Sequence, residues 1–110
     1  MDTTSLVFHA LSDPTRRGIL DMIATKRTHV AQIADKFPMS RPAISKHLAV
    51  LKNAGLVSFS EEGKKRFYTM EPRPLKSADL WLEHYRHFWT ESLHHLKAHA
   101  ERKHSSKRKK

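Results

Sequence analysis

The chain of 110 residues contains no cysteine, which excludes a disulfide framework and any metal site built from thiolates. This composition fits a reducing compartment, and we expect a cytoplasmic protein. No apolar run approaches the ~20 residues of a membrane-spanning helix. The first residues also lack the basic segment that opens a secretory signal peptide. The sequence therefore predicts no membrane association and no export.

Motifs for catalysis are equally scarce. With three glycines, the chain has no glycine-rich phosphate loop, and no nucleophile lies beside a candidate base. The carboxylates are scattered along predicted helix surfaces. We therefore expect a protein that is not an enzyme and that needs no cofactor.

Positive charge is abundant and unevenly placed. The formal net charge is +10, and six Lys or Arg residues fall in the last nine positions. Residues 1–101 retain 15 Lys and Arg against 11 Asp and Glu, a net charge of +4. We expect one folded domain over 1–101, followed by a disordered basic tail over 102–110. The charge favours a polyanionic partner such as a nucleic acid.

The first half of the chain reads as four helices. A short helix spans 4–11, and Ser12 or Asp13 caps a second helix whose first turn contains Pro14. Gly18 lies inside that helix, which indicates close packing by a neighbour. The third helix has apolar residues at helical spacing, namely Val30, Ile33, Ala34 and Phe37.

The fourth helix is capped by Ser40 and ends near Gly55. On a wheel of ~100° per residue, its buried side is defined by Ile44, with Leu48 and Leu51 within about 40°. Arg41, Ser45 and Lys52 lie on one flank, and His47 lies nearer the core edge on the other. The face opposite the core presents Pro42, Lys46 and Ala49.

No Asp or Glu occurs between residues 38 and 60. A helix that enters the major groove of DNA needs small residues for close approach, hydrogen-bond donors, and no carboxylate that the phosphates would repel. The N-terminal turn adds unpaired N–H groups suited to phosphate. A solvated surface helix is the alternative, but such helices usually carry charges of both signs.

In the second half of the chain, the hydrophobic pattern changes from a helical period to a strand-like one. Strand-like "LVSFS" and "RFYTM" are joined by "EEGKK", which predicts a β-hairpin. Its cationic tip, residues 64–66, suits phosphate contacts, although Glu61 and Glu62 oppose this. After two prolines, an amphipathic helix of some 25 residues begins at Leu75. The predicted fold is mainly α with a small β-hairpin, a winged helix-turn-helix.

The stretches "HALSDPTRRGILDMI", "SRPAISKHLAVLKNAGLV" and "EEGKKRFYTME" resemble the ArsR-type winged helix-turn-helix transcriptional regulators of bacteria. The resemblance covers about residues 5–100. It implies a repressor that binds double-stranded operator DNA through a recognition helix over about 41–53 and leaves it when an inducer binds. Combining the wheel, the hairpin tip and this resemblance, we predict DNA contacts from Ser40, Arg41, Pro42, Ser45, Lys46, His47, Lys52, Lys64, Lys65 and Arg66.

The resemblance also implies a homodimer formed by the first and last helices. The apolar stripe of the last helix independently favours self-association, because a two-fold dimer presents two recognition helices about one DNA turn apart. The predicted interface residues are Leu6, Leu82, Tyr85, Phe88, Trp89, Leu93 and Leu96. A protein-interaction module that uses the same aromatic helix for another partner is the competing interpretation.

Metal sensing is a further alternative, because many members of the family sense metals. His84 and His95 match the separation of two ligands in one family pattern, but Leu82 and Ala98 occupy the positions of their partners. The pairs His84–His87 and His95–His99 have chelating spacing, and a His-rich helix also suggests pH sensitivity. We predict no metal site.

Overall fold

The computed structural model describes residues 1–108, with side chains described through residue 100. The chain divides into two units, residues 1–78 and the segment from residue 79 onward. The described elements are α1 (Thr3–Leu11), α2 (Pro14–Thr25), β1 (Thr28–His29), α3 (Val30–Lys36), α4 (Arg41–Asn53), β2 (Val57–Glu62), β3 (Lys65–Met70) and α5 (Leu75–Arg108). Lys109 and Lys110, the end of the predicted tail, lie outside the described residues.

Side-chain caps begin the helices where the sequence places them. The carboxylate of Asp13, one of the two predicted candidates, accepts a hydrogen bond from the first turn of α2 at 3.0 Å. Ser40 accepts from the first turn of α4 at 3.3 Å. Pro14 and Pro42 occupy the first turns of the same two helices, where the missing N–H group needs no helical partner. The starts of α2 and α4 are therefore fixed by local chemistry.

The end of α4 is fixed in the same way. Gly55 adopts a φ of 76°, in the left-handed region that favours glycine. Its N–H donates to the carbonyl of Lys52 at 2.9 Å, and the N–H of Leu56 donates to the carbonyl of Leu51 at 3.0 Å. These two bonds form a Schellman motif, which satisfies carbonyls that the helix leaves unpaired. The chain then turns directly into β2.

The core of the first unit is built from the helical stripes that the periodicity predicts. Ile44, Leu48 and Leu51 of α4 are at most 1% exposed. They join buried residues of the other elements, namely Val7, Ala10, Ile19, Leu20, Ile23, Ile33, Leu56, Val57, Tyr68 and Ala78. Gly18 faces the ring of Phe37, and a Cβ at Gly18 would stand 3.1 Å from it. The close packing expected at this glycine is thus present.

The sheet contains one strand more than the predicted hairpin. β2 and β3 pair in antiparallel register, with Glu62 opposite Lys65 across a two-residue loop. Gly63 opens that loop with a φ of 62°, as such loops favour. β1 pairs with the other edge of β3, giving the order β1-β3-β2. Two residues are too short to show the alternating pattern of a strand, so the sequence alone does not reveal β1.

Helix α5 is 34 residues long and exceeds the predicted length of about 25. It continues past residue 101 into the segment predicted to be a disordered tail. Lys, Arg and Glu are good helix formers, so a charged sequence prolongs a helix that has already begun. Within the second unit, Arg86 pairs with Asp79 at 2.5 Å and with Glu83 at 3.1 Å.

No helix in residues 1–108 combines the length and the apolar character that crossing a bilayer requires.

Candidate nucleic-acid interface

The outer face of α4 has the composition that groove binding requires. Arg41, Pro42, Ser45 and Lys46 are exposed, while Ile44 on the opposite side is fully buried. Small or cationic side chains therefore face solvent along the helix, and α4 carries no carboxylate. Ser40 and Lys52 are exposed as well. The exposure predicted from the wheel is confirmed for Arg41, Pro42, Ser45, Lys46 and Lys52.

The N-terminus of α4 lies beside the hairpin tip. A cleft of about 320 Å³ is lined by His29, Val30, Ala31, Arg41, Lys64, Lys65 and Arg66. Within the described residues, Arg41, Lys64 and Lys65 form no ion pair. Three uncompensated cations thus converge on one opening from two elements that are distant in sequence. Such an opening suits the negatively charged backbone of DNA.

The two carboxylates of the hairpin are neutralised locally. Glu61 accepts from Arg66 at 3.0 Å, which raises the pKa of the Arg66 guanidinium. Glu62 pairs with Arg27 at 2.5 Å. Both carboxylates are therefore paired with neighbouring arginines, which reduces the repulsion that they would exert on DNA phosphates. Sequence reasoning missed Arg27, whose contribution depends on the pairing of β1 with β3.

An aromatic ring links α4 to the hairpin. The ammonium of Lys52 lies 4.6 Å from the centroid of the Phe59 ring, and the guanidinium of Arg66 lies 4.1 Å from it. The ring of Tyr68 packs against Phe59 at 5.5 Å. Cation–π attraction holds two predicted DNA contacts against one side chain while both remain exposed. No local sequence pattern identifies Phe59 as this bridge.

His47 differs from the other predicted contacts because it is half-buried. Its Nδ1 lies 3.3 Å from the Nη1 nitrogen of Arg16, a residue of α2 that the sequence did not single out. The wheel placed His47 near the core edge, which agrees with this position.

The described part of α5 exposes an extensive apolar stripe. Trp89 is 41% exposed and Leu96 is 64% exposed, with Tyr85, Phe88 and Leu93 between these values. The aromatic rings of this stripe pack along the helix, and the ring centroids of Tyr85 and Phe88 are 6.2 Å apart. Leu6 of α1 and Leu82 are partly exposed. Contiguous apolar surface of this kind marks an interaction site.

The histidines in the part of α5 whose side chains the structure describes are not gathered into a metal centre. Among residues 1–100, no group of three His, Asp or Glu side chains is placed to hold a metal ion. Nδ1 of His84 lies 3.1 Å from the carbonyl oxygen of Trp81, and His87 packs on Phe88 with ring centroids 4.0 Å apart. These contacts give each ring a structural role within its own helix.

Comparison with known proteins agrees with this geometry. Residues 13–58 match the family described as bacterial regulatory protein, arsR family. The HTH-type transcriptional regulator Rv2034 of Mycobacterium tuberculosis is 40% identical over 86 residues, which cover 78% of each chain. The transcriptional repressor SdpR of Bacillus subtilis is 38% identical, over 69% of this chain and 84% of its own.

A solved structure of an ArsR-like transcriptional regulator from Rhodococcus sp. RHA1 superimposes with a TM-score of 0.67 at 33% identity, covering 86% of this chain and 90% of the other. The matched family segment contains α2, α3 and α4, the elements that carry most of the candidate interface. The winged helix-turn-helix fold and the resemblance noted from the sequence are both confirmed. The chain belongs to the ArsR family and is a DNA-binding transcriptional regulator.

Proposed function

We propose that the protein is a homodimeric repressor that reads a palindromic operator with the α4 helix of each copy. The observation that carries this proposal is the acid-free outer face of α4, which leads at its N-terminus into the cationic cleft of the hairpin. The name of the SdpR relative, a transcriptional repressor, favours repression. A bacterial operator lies in the cytoplasm, and we place the protein there.

The contacts divide into two groups. The exposed residues of α4 and the half-buried His47 approach base edges, because an α-helix fits the major groove of B-DNA. Lys64, Lys65 and Arg66 contact phosphates beside the groove, where charge fixes register without reading sequence. Lys52 and Arg66 are already held in place by Phe59 and therefore lose little conformational freedom on binding.

The second copy is the partner that we assign to the apolar stripe of α5. Exposure of Trp89, Phe88 and their neighbours to water is unfavourable, and an identical stripe offers a matching apolar surface. A two-fold dimer has two α4 helices, and two recognition helices that enter successive major grooves read half-sites about 34 Å apart. Leu6 of α1 and Leu82 extend the proposed interface.

The proposal also includes autoregulation and release of the operator by an inducer of unknown identity. A repressor that represses its own gene keeps its concentration near the level that saturates its operator. The DNA upstream of its own coding region is therefore the first duplex to test. Zinc and EDTA arms in the same assay would show whether a metal changes the complex.

The test selects binding sites from a random duplex library and then measures affinity by fluorescence anisotropy. We expect a palindrome with half-sites one helical turn apart. Arg41→Ala should weaken operator binding more than binding to unrelated duplex, whereas Arg73→Ala, which removes an exposed arginine outside the cleft, should change neither appreciably. Equal losses in both kinds of binding would reduce Arg41 to a phosphate contact.

Two results would contradict the proposal more broadly. A selected site without two-fold symmetry, bound by one chain in sedimentation, would refute the dimer. An increase in transcript from the operator-bearing promoter in a purified transcription assay would refute repression while leaving DNA binding intact.

A further inference from the structure

One arginine joins the end of α1 to the recognition helix. The Nε of Arg16 donates to the carbonyl oxygen of Ala10 at 2.9 Å, and Nη2 donates to that of His9 at 3.0 Å. The remaining nitrogen, Nη1, lies 3.3 Å from Nδ1 of His47. The guanidinium therefore contacts two carbonyls at the C-terminal end of α1 and one imidazole of α4. Each of its three nitrogens has a partner.

This contact restricts which tautomer of His47 can form a hydrogen bond with Arg16. A guanidinium is always protonated and offers donors only. A hydrogen bond at this position needs Nδ1 of His47 as the acceptor, and therefore an imidazole whose proton is on Nε2. A proton on Nδ1 would set two N–H groups against each other, and a charged ring would add repulsion from Arg16. Nε2 lies on the other side of the ring from Arg16.

The charges around His47 support a fixed guanidinium. α2 presents Arg16 and the cap residue Asp13, and α1 presents the carbonyls that Arg16 binds. The Asp13 carboxylate accepts the Arg16 backbone N–H at 3.0 Å, which lowers the pKa of that carboxyl. Asp13 thus remains ionised and helps to balance the guanidinium while its cap holds the first turn of α2.

We propose that Arg16 is a positioning residue for DNA reading, which holds His47 in the neutral Nε2–H tautomer. His47 then offers the operator one donor and no acceptor. It selects an acceptor on the DNA, such as guanine O6 or N7 or a phosphate oxygen, and rejects the amino donor of cytosine. This inference rests on the proposed reading of DNA by α4.

The first test needs no DNA. In the full chain labelled with ¹⁵N, long-range ¹H–¹⁵N correlation at neutral pH distinguishes a protonated ring nitrogen from an acceptor nitrogen. We expect a protonated Nε2 and an acceptor Nδ1 for His47. Arg16→Met should let the two tautomers exchange, and Arg16→Lys should restore the original signature because it returns a cationic donor.

The neighbouring residue Arg17 offers a matched control. Arg17 donates to the carbonyl oxygen of Leu11 at 2.7 Å, so it also contacts the end of α1, yet this hydrogen bond does not involve His47. Arg17→Met should therefore leave the His47 signature unchanged. A wild-type His47 that is protonated on Nδ1, or that responds equally to both methionine variants, would overturn the inference.

The second test measures the operator. Loss of one hydrogen bond, worth about 1 kcal/mol, would weaken a half-site roughly five-fold, and Arg16→Met, which leaves both tautomers accessible, should weaken it by up to that factor. In a His47→Ala background, Arg16→Met should cause no further loss, and any further five-fold loss would refute a role through His47. Repeating the site selection with Arg16→Met distinguishes a base acceptor from a phosphate acceptor. Loss of a base contact changes the selected sequence, whereas loss of a phosphate contact does not.

The two tests distinguish failure of the proposed function from failure of the inference about Arg16. If the wild-type protein binds no duplex specifically, the proposed function fails, whereas the tautomer result stands on spectroscopy alone. If the operator is bound but the His47 signature is wrong, the failure belongs to the role of Arg16.

Discussion

Removing the two lysines at the hairpin tip should flatten the salt dependence of DNA binding. Lys64 and Lys65 line the cleft beside Arg41 and form no ion pair within the described residues. The variant Lys64→Gln with Lys65→Gln keeps polar, hydrogen-bonding side chains, each one atom shorter than lysine, but removes the charge. It also leaves the Glu61–Arg66 pair in place.

The expected magnitude follows from counterion release. In the proposed dimer the double variant removes four cations, two from each copy. Each phosphate contact contributes about −0.9 to the slope of log affinity against log salt, so the slope should become shallower by about 3.6. Between 50 and 200 mM salt, the wild-type affinity should fall by roughly two orders of magnitude more than that of the variant.

Fluorescence anisotropy titrations at several salt concentrations measure this slope directly. The control is Arg73→Gln with Lys76→Gln, which removes the same charge from the cleft beside Gly55 at the other end of α4. The control slope should remain close to that of the wild type. If both variants flatten the slope equally, the effect comes from net charge alone, and the assigned role of the hairpin cleft is wrong.

Further predictions concern folding and assembly. Gly55→Ala should lower the free energy of unfolding in urea by about 1–2 kcal/mol from its left-handed backbone alone, with an added clash because a Cβ would stand 3.1 Å from a proline ring. Gly63→Ala meets no such neighbour and should be milder; a larger loss there would contradict the packing argument. Trp89→Ala should raise the dimer dissociation constant about 30-fold, a loss of roughly 2 kcal/mol, in sedimentation equilibrium, and an unchanged mass distribution would refute its place in the interface. The pKa of Asp13 is lowered chiefly by the Arg16 backbone N–H, so its stabilising effect is present at neutral pH and disappears as acid protonates the folded carboxyl. Asp13→Ala should therefore be less stable than wild type in neutral thermal melts, and a gap that persists after acid protonation would contradict this account.

Much of the recognition unit follows from local sequence rules. Ser40, Pro42 and Gly55 set the two ends of α4 through bonds that span only a few residues. The apolar spacing of Ile44 and Leu48 fixes which side is buried, and the exposed face follows from that. Gly18 even indicated close packing, because glycine inside a helix is unfavourable without such a reason.

The remaining features depend on contacts between residues distant in sequence. β1 is a strand because Thr28 and His29 meet β3, about 40 residues later in the chain. The role of Arg16 appears only when α2 is packed beside α4, and that of Phe59 only when the hairpin folds against Lys52. A single sequence carries propensities and periods, but it does not list which side chains meet in the folded core.

The ring of Phe59 has a consequence for anyone who redesigns this regulator. Lys52 and Arg66 are like charges that both contact one aromatic ring before any duplex arrives, so folding already fixes their positions. A chimera that receives its reading helix from another regulator should therefore inherit a lysine at position 52, or supply another group that rests on the ring. Without that partner, the transplanted helix and the resident hairpin would approach DNA as two independently oriented parts.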